Sequence, residues 1–122
     1  MASNAYRLAA KRAVRQPAAP RLNRAKLDAL VEDATVDCYN EDEQRTGLFT
    51  MIQENLLLPF NAQVLGVPVV VERIDINSAD EIVALCRRGR DRQAIPILDL
   101  PLPSPPPAGF EWIAAYRHWA RP

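Results

Sequence analysis

The sequence predicts an α+β fold: an N-terminal helix pair, a small antiparallel, barrel-like sheet of about four strands, and a C-terminal helix. Two observations carry this. Apolar residues recur at helical spacing up to residue 57 and again from 110, whereas runs of β-branched residues bounded by turn chemistry fill the stretch between. The strands also follow one another directly instead of alternating with helices, which favours antiparallel pairing over a parallel sheet.

Each element has its own signal. From about residue 25 to 38, Leu27, Leu30, Val31, Ala34 and Cys38 fall on one helical stripe. A second helix is expected over 41–57, with Leu48, Phe49, Ile52 and Leu56 as its buried stripe. Asn40 followed by Glu43 reads as an N-cap with an acid at the third helical position, and Pro59 stops the helix. Residues 64–68 read as a short strand and turn, 69–74 and 81–87 as strands, and 93–98 as a further strand with Pro96 at an edge or bulge. Residues 75–80 and the neighbourhood of Gly89 carry turn chemistry. Five prolines between 101 and 107 form an extended connector to a last helix over 110–119, with Phe110, Ile113, Ala114 and Trp119 on its expected buried side.

One domain is expected in 122 residues, spanning 26–120, behind a basic, flexible arm over 1–25. The arm has a short expected helix near 4–14 and an extended stretch at Pro17 and Pro20. It lacks the apolar segment of a secretory signal, and no apolar run approaches a membrane span. Cys38 and Cys86 sit in apolar patterns and read as reduced core thiols, which suits a cytoplasmic protein.

The net charge of zero hides a segregation. Residues 1–26 carry seven basic groups and no acid; residues 27–58 carry eight acids and one base, Arg45. This predicts that the basic arm lies against the acidic helices or that each faces its own partner.

Enzyme signatures are missing: there is one histidine, His118, no nucleophile elbow and no phosphate-binding glycine loop, so no catalysis is expected. Two cysteines and one histidine without paired spacing do not make a zinc site. Calcium, in contrast, takes six to eight hard oxygen ligands, which this chain can supply. The EF-hand route fails: Asp75 and Asn77 start such a loop, but Asp80 stands where glycine is required and Cys86 where glutamate is. The better candidates are Asp33, Asp37 and Glu41, spaced four apart. On a continuing helix they would stack like charges along one side, with Asp37 and Glu41 near the apolar face, and a cation would relieve the repulsion. Asp42 and Glu43 have a simpler reading as first-turn acids that suit the helix dipole. Asp99, within an apolar run, and Glu54 rank behind; Asp99 would approach from the sheet.

Several stretches together resemble the CcbP family of bacterial calcium-binding proteins. They are Glu32-Asp33-Ala34-Thr35-Val36-Asp37-Cys38-Tyr39, Asp42-Glu43-Gln44, Gly47, and Glu54-Asn55-Leu56 leading to Pro59-Phe60. The runs beginning at Ala62, Ile82 and Ile97 extend the likeness, which covers about residues 26–119. The resemblance implies a small cytoplasmic protein that binds Ca²⁺ through acidic side chains on a fold other than the EF-hand, acting as a calcium buffer or regulator in calcium signalling. The acids it covers are Glu32, Asp33, Asp37, Glu43, Glu54 and Asp99. The competing reading is a metal-independent module in which the sheet, the proline-rich connector and Arg87, Arg88, Arg90 and Arg92 bind protein or nucleic acid; in the basic arm, no aromatic interleaving beyond Tyr6 supports a nucleic-acid tail.

Overall fold

Asn23 opens the first helix: its side-chain oxygen accepts a 2.8 Å hydrogen bond from the Lys26 backbone amide. The computed structural model describes residues 22–121, so the expected helix near 4–14 and the extended stretch at Pro17 and Pro20 lie outside the described residues. Helix α1 runs Arg24–Thr35, so the first two of its residues belong to the segment expected as an arm. It stops three residues short of the expected 38. The β-branched pair Thr35-Val36 is the reason: the Thr35 hydroxyl donates to the Val31 carbonyl at 2.7 Å, and Val36 turns out of helical geometry.

Helix α2 spans Glu41–Asn55. Asn40 caps it as expected, its side chain accepting from the Glu43 amide at 2.8 Å. The helix ends before the expected residue 57, where the Asn55 side chain donates through Nδ2 to the Met51 carbonyl. Leu48 and Ile52 are fully buried and Leu56 nearly so, as expected, whereas Phe49, the fourth residue of the expected stripe, is half-buried. At Gly47 the backbones of α1 and α2 come together: a Cβ there would overlap the Ala34 carbonyl oxygen. Only glycine permits that crossing.

Four strands follow: β1 (Phe60–Val64), β2 (Val67–Ile76), β3 (Ile82–Arg88) and β4 (Asp91–Pro96). They pair antiparallel in the order β1-β2-β3-β4. Leu65 and Gly66 make the first turn, both at positive φ (52° and 78°), which is the backbone of a type I′ hairpin. The expected barrel closure does not occur. β1 and β4 remain at opposite edges, because four strands are too few to curl shut and helices cover one face instead. Register shifts between Val71 and Arg73, leaving Glu72 as the extra residue of a bulge.

Beyond Pro96 the chain tightens into a 3₁₀ turn, Ile97–Asp99. Asp99, expected just past a strand over 93–98 and approaching from the sheet, therefore lies at the end of this turn instead. Pro96 cannot donate to the ladder, so pairing ends there. The last helix, α3, spans Phe110–Ala120. Its buried residues are Trp112, Ile113, Ala115 and Tyr116; of the expected set only Ile113 is among them. The helix touches α1, α2 and the 3₁₀ turn, so it buries more than one face. The core joins Leu30 and Ala34 of α1, Leu48 and Ile52 of α2, Val71, Ile74, Ala84 and Cys86 of the sheet, and Ile113 of α3. Among the described residues, no helix is long and apolar enough to cross a membrane.

Candidate metal centre

The junction between α1 and α2 concentrates the acids that the sequence singles out. Asp37 sits in the left-handed region at φ 65°. Short polar side chains tolerate that conformation better than bulky ones. The Cys38 amide closes the turn on the Thr35 carbonyl at 3.0 Å, and the Tyr39 amide donates to Glu43 Oε1 at 2.7 Å. The Cys38 thiol points at the Glu43 carbonyl, 3.4 Å away. Five junction residues, 36–40, are thus held from both sides by short-range bonds.

Neighbouring acids divide into engaged and unengaged groups. Asp42 pairs with Arg45 at 3.0 Å, and the Arg45 guanidinium lies 5.5 Å from the Trp119 ring centre. Trp119 in turn donates its indole N–H to Gln44 at 2.9 Å, tying the start of α2 to the end of α3. Asp28 Oδ1 stands 2.7 Å from His118 Nε2, so the single histidine joins α1 to α3. Glu43 serves the Tyr39 amide. No hydrogen bond or ion pair to another described residue takes up the side chains of Asp33, Asp37 or Glu41, and all three are exposed.

The structure changes how these three relate. They are not a continuous helical ladder. Asp33 is on the last full turn of α1, Asp37 is in the left-handed turn, and Glu41 is the first residue of α2. Helical phasing could not have shown this, because it assumes one helix through residue 41. Glu54 lies thirteen residues along α2 from Glu41, roughly 20 Å at 1.5 Å per residue, and cannot share an ion with it. Asp99 ends the 3₁₀ turn beside α3 and is exposed. Among the described residues, no three His, Cys, Asp or Glu side chains are gathered tightly enough to form a ready cluster.

The donor chemistry fits a hard cation. Three carboxylates without a partner among the described residues lie within nine residues, interleaved with a turn in which the Asn40 carbonyl accepts from the Gln44 amide of α2 and those of residues 36–39 take no backbone hydrogen bond. Calcium accepts such a mixture of carboxylate, carbonyl and water oxygens in flexible geometry, whereas Mg²⁺ demands a nearly ideal octahedron. Asp33, Asp37 and Glu41 are the residues that would hold the ion.

Comparison with known proteins bears on calcium binding, not on the choice of ligands. A family model described as calcium binding, that of the CcbP proteins, matches residues 29–120. No curated protein sequence matches the chain. The fold is similar to the crystal structure of Anabaena CcbP, with a TM-score of 0.63 and 16% sequence identity over 84% of this chain and 94% of that one. With three quarters of its length matched by the family model, the chain belongs to the CcbP family of calcium-binding proteins.

Proposed function

We propose that this chain binds Ca²⁺ at the α1–α2 junction through Asp33, Asp37 and Glu41, and acts as a non-catalytic calcium buffer or regulator inside the cell. The supporting observation is that, among the described residues, Asp28, Asp42 and Glu43 have protein partners, while those three and the neighbouring Glu32 do not. Backbone carbonyls of residues 36–39 and water complete the shell. Because no three-acid cluster stands ready, the exposed side chains converge on the ion as it binds, which suits a buffer or sensor more than a permanent structural metal. Binding stabilises the fold by mass action, since the unfolded chain lacks the assembled site.

The test is isothermal titration with Ca²⁺ and with Mg²⁺, paired with thermal melting. Calcium at millimolar concentration should raise the melting temperature more than equal magnesium. Absence of both heat and thermal shift with Ca²⁺ overturns the reading. Terbium, a calcium surrogate, gives a local readout. The Tyr39 amide is bound to Glu43 in the same turn, so Tyr39 should sensitise terbium emission, and Tyr39→Phe should reduce it.

A further inference from the structure

Both hairpin turns joining β1 to β2 and β3 to β4 lie at one end of the meander. Between them is an open groove of about 350 Å³. Its floor is apolar, formed by Val64, Val67, Val69 and Ile95 over the buried Cys86; Arg88 and Arg92 stand on its rim with Asp91, the cross-strand partner of Arg88, and Arg92 is paired with Glu72. Leu65 lines it from the hairpin tip, 97% exposed and at φ 52°. A leucine in that place is unfavourable twice over: glycine, asparagine or aspartate suit the backbone, and water surrounds the side chain. Nothing in the turn itself calls for it.

The chain carries a matching surface elsewhere. At the α1–α2 junction Val36 is 67% exposed and Tyr39 87% exposed, and Asp33, Asp37 and Glu41 each lie within three residues of one of them in the chain. One surface is an apolar groove whose rim carries two arginines and one aspartate; the other presents exposed apolar side chains in an acidic segment. We propose that the groove docks the α1–α2 junction of a second copy of this chain, head to tail. Tyr39 and Val36 fill the groove beside Leu65, and Arg88 with the adjacent Arg90 face the junction acids. The two surfaces share no residue, so the contact is heterologous and can extend beyond a dimer. Calcium at the junction lowers its negative charge and weakens the docking; this last clause rests on the proposed calcium site, whereas docking in the absence of calcium does not.

Sedimentation velocity on the full chain with a chelator present tests the proposal. The weight-average sedimentation coefficient should rise with protein concentration, and should fall when salt goes from about 0.05 to 0.5 M and shortens the screening length. Leu65→Asn should abolish the rise while keeping or raising the melting temperature, an outcome that a merely structural Leu65 would not give. Two charge-reversed chains sharpen the test: Arg88→Glu with Arg90→Glu, and Asp33→Lys with Glu41→Lys. Each alone should remain monomeric; mixed, they should associate in strict alternation at one-to-one stoichiometry, because the reversed groove meets the reversed junction and the unaltered groove meets the unaltered junction. A wild-type chain that stays monomeric at every concentration overturns the proposal, as does association that both charge reversals leave intact. Association appearing only after residues 1–21 are deleted also overturns it, since that segment would then be the groove's occupant. Association in chelator that Ca²⁺ leaves unchanged supports the docking and counts against the junction as the calcium site.

Discussion

Glu72 Oε2 lies 2.6 Å from Arg87 Nε, and the other oxygen of the same carboxylate reaches Arg92 Nε at 3.2 Å. Arg87 and Arg92 are direct cross-strand partners in the β3–β4 ladder. Like charges so placed repel. The bulge in β2 brings Glu72 to the pair and neutralises part of it.

That geometry sets a pH dependence. The Arg87 hydrogen bond, followed by that of Arg92, holds the Glu72 carboxyl below its ordinary value. A depressed folded-state value contributes stability above the unfolded pKa, about 4.3 for glutamate, and loses it as pH falls through the folded value. Glu72→Gln should therefore lower the melting temperature by a constant amount at neutral pH. The gap between wild type and variant should close below about pH 4. A gap that persists unchanged into strong acid would assign the loss to packing instead of charge.

Gly47→Ala should destabilise the protein, against the usual trend for helices. In an exposed helix interior this change gains about 0.5–1 kcal/mol. Here the new methyl group overlaps the Ala34 carbonyl oxygen, a backbone atom that cannot rotate away. A loss of about 1–3 kcal/mol is expected from overpacking at the α1–α2 crossing. Urea unfolding measures it, and a gain in stability would contradict the close approach.

The two thiols should separate by reactivity. Cys86 is buried and burial pushes its thiol above the ordinary value, whereas Cys38 is half-exposed. Thiolate, not thiol, attacks an alkylating reagent. Mass spectrometry after brief iodoacetamide treatment of the native protein should find the label on Cys38 alone. Cys86 should react only when denaturant is added. Equal labelling of both in the native state would contradict the buried position of Cys86 in the sheet.

Much of this architecture was legible in the residues. The stripe of Leu48, Ile52 and Leu56 gave α2 its buried face, and Asn40 with Glu43 gave its start, because capping and periodicity are local effects. The Gly89 turn followed from local chemistry in the same way. Three features were not legible. The phase of α3 depends on how many neighbours surround it, and no single helical stripe encodes that. The fate of Asp99 depends on where pairing stops after Pro96. The barrel depends on whether β1 and β4 meet, a contact between segments that helices can preclude. At the junction, sequence spacing found the three acids and put Glu41 at the start of the second helix, but kept Asp37 on the first, since the break at Thr35–Val36 has neither glycine nor proline to announce it.

Asp37→Asn is the most direct probe of the junction. Asparagine tolerates the left-handed backbone at φ 65° as well as aspartate does, so the apo protein should melt as the wild type. The substitution removes one carboxylate charge while keeping the shape of the side chain. Calcium affinity should fall by about tenfold, equivalent to about 1.4 kcal/mol. Asp37→Ala separates the two roles, because alanine in that conformation adds a backbone cost of about 1 kcal/mol to the apo fold. Glu54→Gln is the internal control: roughly 20 Å along α2 from Glu41, it should leave the affinity unchanged. Unchanged affinity in Asp37→Asn together with a loss in Glu54→Gln would move the site away from the junction to the far end of α2.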